Sequence, residues 1–454
     1  MSRLIVVSNR VAIPNEGRAG GLTAALHSAL RERGGIWFGW SGKQARRSAA
    51  TVHDTHDGRI TCATIDLSSS DYNDYYKGFA NRSLWPLFHY RPDLVDYQRA
   101  NYEGYIRVNR LFAEHLAKLI EPDDTVWIHD YHLIPLAALL RERGIDNRIG
   151  FFLHTPLAAA ELLATLPHHR QLFETLSACD LVGLQTEQDL HALRDYFEHQ
   201  IGADIRADNI IALPDERCFR ADSFPISIDT ALAADTARKA ATSAATKRLR
   251  DSFGNRALVI GVDRLDYSKG LPQRFDAFAR LLHDNERWRS QVCLLQIAPP
   301  SRSDVPEYRQ IRQELERRAG HINGALAEPD WVPIHYVNQT VPHAKLAGYY
   351  RLARVGLVTP LRDGMNLVAK EYVASQDPED PGVLVLSRFA GAAEALDSAL
   401  LVNPHDEDDM AEALARALAM PLDERCQRWR SMMDVLEPHD VAEWRQRFLD
   451  TLDA

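Results

Sequence analysis

The feature that most constrains the fold is an alternation of short Val/Ile/Leu runs with longer amphipathic stretches along almost the whole chain. The runs fall at residues 4–7, 36–39, 126–128, 149–153 and 181–184, then at 257–262, 292–297, 355–358 and 383–386. Several have no polar residue at alternate positions. A strand with one face in water needs that alternation, whereas a strand covered on both faces does not. Helix-length segments lie between the runs, for example at 22–33, 272–282 and 305–318. Alternating β and α elements imply parallel sheets joined by right-handed crossovers. A single core rarely grows past about 250–300 residues, so 454 residues, 45% of them apolar, imply two domains. The texture changes across 223–252, where SFPISID leads into an Ala/Lys/Arg-rich helix and then a fresh strand, ALVIGVDR. The boundary is placed there, giving domains 1–230 and 231–454, the second closing with a helical tail over 422–454. Two such α/β sheets are expected to face a cleft, with ligands beyond the carboxyl ends of the strands.

Formal net charge is −10, which argues against a nucleic-acid or membrane-surface binder, since both need a cationic face. A local cationic pocket for a small anion remains compatible with it. The five cysteines, Cys62, Cys179, Cys218, Cys293 and Cys426, are far apart and form no C-x-x-C pair, so neither a zinc site nor a disulfide framework is expected. The opening MSRLIVVSNR lacks the long apolar region of a signal peptide, and no run approaches the ~20 residues of a spanning helix. The expected location is the cytoplasm.

Polar residues gather just past the strand ends. VVSNR leads through a loop to Gly20 and Gly21 before a helix, an arrangement that lets backbone N–H groups approach a phosphate, with Arg10 as a further cation. The plain alternative is a turn beside a surface arginine. VWIHDYHLIP delivers His129, Asp130, Tyr131 and His132 at one strand exit, suited to sugar hydroxyls or, more simply, to a helix cap and buried histidines. GFFLHTP ends an apolar strand at His154 before Pro156. In GVDRLDYSKG, Arg264 and Lys269 precede a helix opened by Pro272. Two cations at a helix N-terminus oppose the helix dipole, which points to an anion such as a diphosphate. The alternative is neutralisation by Asp263 and Asp266. In LVTPLRDGMNLVAKEY, Asp363 suits sugar hydroxyls, the N–H groups from Gly364 to Val368 suit a phosphate, and Glu371 suits a ribose; an Asp cap with a turn glycine is the bland reading. Tyr75, Tyr76 and Trp85 lie in a polar, aromatic stretch where sugars stack or a core forms, and Arg302 follows a strand and two prolines.

Taken together, SNR, GGL, WFGWSG, DYYKGFANRSLWPLFHY, WIHDYHL, GFFLHTP, GLQTE, DRLDYSKGLPQR, IAPPSR, TPLRDGMNLVAKEYVASQ and LVLSRFAGAAEAL resemble the trehalose-6-phosphate synthases. These are retaining glycosyltransferases of the GT-B type, with two Rossmann-like parallel-sheet domains facing a cleft. The matches run from residue 8 to about residue 396. By motif position, the resemblance assigns glucose 6-phosphate to Arg10, Tyr76, Trp85, Asp130 and Arg302. It assigns the donor to Gly20, Gly21, His154, Arg264, Lys269, Val341, Asp363, Gly364, Met365, Asn366, Leu367, Val368, Ala369, Lys370 and Glu371. Asp130, His154, Arg264, Lys269 and Asp363 are the implied catalytic set. Leu157-Ala158 stands where the family usually has Phe-Pro, and no phosphatase domain is expected to follow.

The implied reaction joins glucose to glucose 6-phosphate with retention, giving α,α-trehalose 6-phosphate. UDP-glucose is the first expectation for the donor; ADP- and GDP-glucose stay open, as does a homo-oligomeric state. No carboxylate in the motifs is an obvious nucleophile, so a front-face transfer is expected, with neither metal nor other cofactor. Three alternatives differ in class: a related glucosylglycerol-phosphate or pseudo-glycosyl synthase, a non-catalytic binding subunit of the same fold, and a sugar-nucleotide epimerase. Retention of the acceptor set, the cations and Asp363 argues against each in turn.

Overall fold

The computed structural model describes residues 3–11, 26–27, 29–31, 33–48, 53–302 and 305–454. The chain forms two compact units, Met1–Ile226 together with Ala442–Ala454, and Ser227–Val441.

The first unit is built on ten strands: β1 (Leu4–Arg10), β2 (Gly35–Ala45), β3 (His53–Asp57), β4 (Ile60–Ser68), β5 (Thr125–His129), β6 (Ile149–Phe152), β7 (Leu181–Leu184), β8 (Asp204–Ile205), β9 (Ile210–Ala212) and β10 (Cys218–Ser223). Their order is β3-β4-β2-β1-β5-β6-β7-β10-β9-β8. The seven strands from β4 to β10 are parallel, while β3 pairs antiparallel with β4, and β9 and β8 extend the other edge antiparallel. Leu4, Ile5, Val6 and Val7 are fully buried, as an unbroken apolar run in a two-sided sheet requires. The chain winds outward in opposite directions on the two sides of β1, so the carboxyl ends of β1 and β5 form a topological switch point.

The second unit has six strands, β11 (Ala257–Val262), β12 (Val292–Ile297), β13 (Ile334–Val337), β14 (Val355–Val358), β15 (Val383–Ser387) and β16 (Leu400–Val402). All are parallel, in the order β13-β12-β11-β14-β15-β16. Counted from β11 this is 3-2-1-4-5-6, the doubly wound Rossmann order, with its switch point between β11 and β14.

The tail expected to close the second domain divides instead. Helix Leu422–Leu436 lies within the second unit, but the helix Val441–Asp453 completes the first. The reason is a groove that only glycine leaves open. A Cβ on Gly150 of β6 would sit 2.8 Å from Phe448, and one on Gly183 of β7 would sit 2.6 Å from it. Phe448 fills that space, stacked on Trp127 at 4.7 Å, and Trp444, Leu449 and Leu452 are buried beside it. Each such side chain contributes about 1.5–3 kcal/mol on burial, a gain that a solvated helix would forgo. Among the described residues, no helix is long and apolar enough to cross a membrane.

Candidate active site

In the second unit, the loops after β11 and β14 are stitched together at the switch point. The N–H of Leu361 donates to the carbonyl of Ser268 at 2.8 Å. Gly270, at φ 64°, passes so close over Thr359 that a Cβ there would lie 2.3 Å from its carbonyl oxygen. Buried Arg274 ties the same loops from below. It pairs with Asp263 at 2.8 Å, and it donates to Gln296 Oε1 at 2.8 Å and Thr359 Oγ1 at 3.1 Å. Asp263 is therefore turned into the core, while Arg264, the next residue along, is exposed.

Lys269 comes from one loop and Asp363 from the other, and the two form an ion pair with both side chains largely buried. Asp363 Oδ2 also accepts from Asn366 Nδ2 at 3.0 Å. The backbone of Asp363 is pinned on both sides, its N–H by the carbonyl of Phe389 and its carbonyl by the N–H of Gly391. Asn366, at φ 77°, caps the helix Leu367–Ala374 by accepting from the N–H of Ala369 at 3.3 Å. The N–H groups of Leu367 and Val368 precede the first intrahelical bond, so the start of this helix is suited to an anion. Ala369, Lys370 and Met365 are buried, and the N–H of Ala369 is already committed to the cap.

Glu371 lies in the second turn, 18% exposed, with His343 Nε2 3.9 Å away, and burial pushes its carboxyl up to about 7. Burial also lowers neighbouring Lys370 to about 7. Val341 lies just before the helix His343–Leu352, beyond the carboxyl end of β13. Arg302, at φ 44°, belongs to this unit too. Asp266, fully buried, accepts from its Nη1 at 3.3 Å, from the hydroxyl of Tyr308 at 2.8 Å and from the N–H of Ser268 at 3.0 Å. One carboxylate thus fixes both the Arg264–Lys269 loop and Arg302.

In the first unit, Ser8 of β1 and His129 of β5 are paired in register. Asn9 Oδ1 accepts from the hydroxyl of Tyr75 at 2.8 Å, and the exposed Arg10 lays its guanidinium against Gly42, where a Cβ would be 2.7 Å from it. Tyr75 and Tyr76 sit on a π-helix, Tyr72–Leu84, that runs into Trp85. Tyr75 is wholly buried, so the core claims it. Tyr76 is half-buried between the rings of Tyr72 and His132, at 5.4 and 5.8 Å. Trp85 is 6% exposed against His89 and Tyr131. Asp130 has φ 76° and ψ 165°; its N–H donates to the carbonyl of Phe152, and its Oδ1 accepts from the N–H of His154 at 3.2 Å. His154 Nε2 lies 3.0 Å from His129 Nδ1. Gly20 and Gly21 lie outside the described residues. No cluster of three or more His, Cys, Asp or Glu side chains placed to hold a metal ion occurs among the described residues.

A profile of glycosyltransferase family 20 matches residues 4–454. The chain belongs to glycosyltransferase family 20. This family 20 enzyme is 52% identical to a trehalose-6-phosphate synthase of Sinorhizobium fredii over all of the chain and 99% of that protein. It is 49% identical to the crystal structure of a UDP-forming α,α-trehalose-phosphate synthase from Burkholderia xenovorans in complex with glucose-6-phosphate, with TM-score 0.97 and complete coverage of both chains. A third relative, an E. coli structure bound with UDP-2-fluoro glucose, is 46% identical over 99% of each chain, with TM-score 0.95.

Arg274, which ties the loops after β11 and β14, is not named from sequence; Asn366 is named there as a donor contact but not as the cap of helix Leu367–Ala374, and His129 as a strand-exit residue but not as the partner of His154. A mid-helix arginine has no sequence signal that tells burial from solvation. His129, by contrast, ends an apolar run and was visible as a strand-exit polar residue.

Proposed function

We propose that this glycosyltransferase transfers glucose, with retention, from UDP-glucose to glucose 6-phosphate, forming α,α-trehalose 6-phosphate and UDP. The observation that carries the reading is the Lys269–Asp363 pair at the switch point of a Rossmann-order sheet, beside Arg264 and the start of helix Leu367–Ala374. It supports a site with cations for a diphosphate and a carboxylate for the sugar attached to it. The relatives named for this activity cover the chain end to end.

In this reading Arg264 and Lys269 stabilise the charge that develops on the leaving diphosphate, and Asp363 orients the glucose. Asp363 is committed to Lys269 and Asn366, which blunts it as a nucleophile and favours a front-face path. The leaving phosphate oxygen then accepts the proton of the acceptor hydroxyl. Arg10 and Arg302 recognise the acceptor phosphate, and Tyr76, Trp85 and Asp130 its sugar. The protein cations and helix N–H groups do the work that a metal does elsewhere, so no cofactor is needed, and the enzyme works in the cytoplasm.

The test is incubation of the purified protein with glucose 6-phosphate and, separately, UDP-, ADP- and GDP-glucose, followed by mass spectrometry and proton NMR. Equal amounts of UDP and of a disaccharide phosphate with two α-anomeric protons are expected. Absence of product with every donor overturns the reading.

A further inference from the structure

Two histidines meet at the ends of neighbouring strands in the first unit. His129 closes β5 and is 1% exposed, and His154 follows β6 and is half-buried. His129 Nδ1 and His154 Nε2 are 3.0 Å apart, a hydrogen-bond distance at which one nitrogen carries the proton and the other offers a lone pair. Burial holds both rings neutral, His129 well below its ordinary range and His154 near 3. Two arrangements therefore compete, differing in which ring donates.

The far side of His129 decides between them. Its Nε2 is buried and has no hydrogen-bond partner among the described residues. If His129 accepted at Nδ1, its only proton would sit on Nε2 as an orphaned N–H. An orphaned buried N–H is the costlier choice, because a buried donor without an acceptor is rarer in folded proteins than a buried acceptor without a donor.

We propose that His129 is a positioning residue that donates from Nδ1 to His154 Nε2, locking His154 in the tautomer whose proton is on Nδ1, so that His154 offers a donor N–H to a sugar oxygen. The main chain of His154 is held independently, because Asp130 Oδ1 accepts its backbone N–H. The partner this geometry selects is a hexose hydroxyl or ring oxygen acting as acceptor. The sugar contact rests on the donor-site reading above; the tautomer does not.

Long-range proton–nitrogen NMR of the full chain labelled with ¹⁵N-histidine, assigned with His129→Asn and His154→Gln, reads the tautomers directly. Both rings are expected as Nδ1–H forms, unchanged between pH 6 and 8. His154 protonated on Nε2 overturns the proposal. Kinetics supply the second readout, since Asn can place an amide N–H where Nδ1 stood and Leu cannot. Loss of one oriented donor predicts that His129→Leu lowers kcat about tenfold with the UDP-glucose KM nearly unchanged, while His129→Asn recovers most of the loss. Equal losses in both variants, with the His154 spectrum unaltered, overturn the positioning role. Should His129→Leu fail to fold, the wild-type spectrum and His129→Asn still decide. Absence of transfer activity in the wild type, with the expected tautomer present, would instead refute the functional reading alone.

Discussion

Asp130 holds a backbone conformation, φ 76° and ψ 165°, that is ordinarily left to glycine. Such strain costs about 1–3 kcal/mol and persists where surrounding bonds dictate it, here the Phe152 carbonyl and the N–H of His154. Asp130→Gly and Asp130→Ala should both lose activity, because both lose the carboxylate. They should differ in stability. Glycine relieves the strain at some entropic cost, so Asp130→Gly should be more stable than Asp130→Ala by about 1 kcal/mol in urea unfolding. Equal stabilities would mean that the backbone is not strained.

Glu371 makes a pH-dependent prediction. Its carboxyl is raised from 4.5 to about 7, so the folded state retains a proton that the unfolded chain releases. Its stabilising share is fully present below pH 4.5 and is lost as pH rises toward 7. If the carboxylate accepts from a donor hydroxyl, UDP-glucose should bind more tightly as pH rises from 6 to 8, where that ligand has no titrating group. Glu371→Gln should flatten the profile measured by calorimetry. A slope that survives the substitution would exclude Glu371 as its source.

Among the elements, the strand-to-loop junctions carry the weight. The pair of Arg274 with Asp263 binds the helix Leu271–Asp284 beneath the loops of β11 and β14. Removing one member strands a buried charge, so Arg274→Met alone should cost about 3–5 kcal/mol in chemical unfolding, and Asp263→Leu combined with it should recover much of that. A near-neutral single variant would show that the pair does not support the site.

These junctions also mark how far the sequence could be read. The runs at 181–184, 257–262, 292–297 and 355–358 coincide with β7, β11, β12 and β14, since unbroken apolar runs between helical segments admit few other folds. The runs do not include β3, β4, β8, β9, β10, β13 or β16: β3 is polar throughout, β4, β10 and β13 interrupt their apolar residues with polar ones, and β8, β9 and β16 are only two or three residues long. The π-helix at Tyr72–Leu84 was seen only as an aromatic stretch, as i→i+5 bonding has no propensity signature. Within the site, Lys269 and Asp363 were nominated from separate motifs. Their pairing, 94 residues apart in sequence, needed the strand order that sets β11 beside β14. Likewise, Asp266 reads from sequence as a neutraliser of Arg264 or Lys269, and the fold also brings it to Arg302 and Tyr308, which no spacing in the sequence signals.

At the scale of the molecule, the proposed chemistry needs charge neutralisation from the protein itself. Arg264→Ala or Lys269→Ala should lower turnover at saturating UDP-glucose by roughly 10²–10³-fold, the scale of one preorganised transition-state contact. A change confined to donor affinity would make these residues binders only. Exhaustive EDTA treatment should leave most of the activity; complete loss restored by Mg²⁺ or Mn²⁺ would show that a carboxylate-held ion carries the charge instead.

The return of the helix Val441–Asp453 to the first unit bears on how the protein is made. Phe448 and Leu452 fill the space over Gly150 and Gly183, yet the ribosome adds them only after every residue of the second unit. Domains generally fold from the N-terminus during synthesis. Here the earlier-made sheet emerges with an apolar groove that nothing yet covers, and it keeps that groove throughout translation of residues 227–441. Where the chain leaves the first unit and where it comes back are joined by a hydrogen bond from Val441 N–H to the Ile228 carbonyl, 3.0 Å long. The second unit is thereby closed on itself at its two ends, as an inserted domain would be. It can reach its native state while the first is still waiting for its final helix, so the half of the enzyme synthesised first is the half that finishes last.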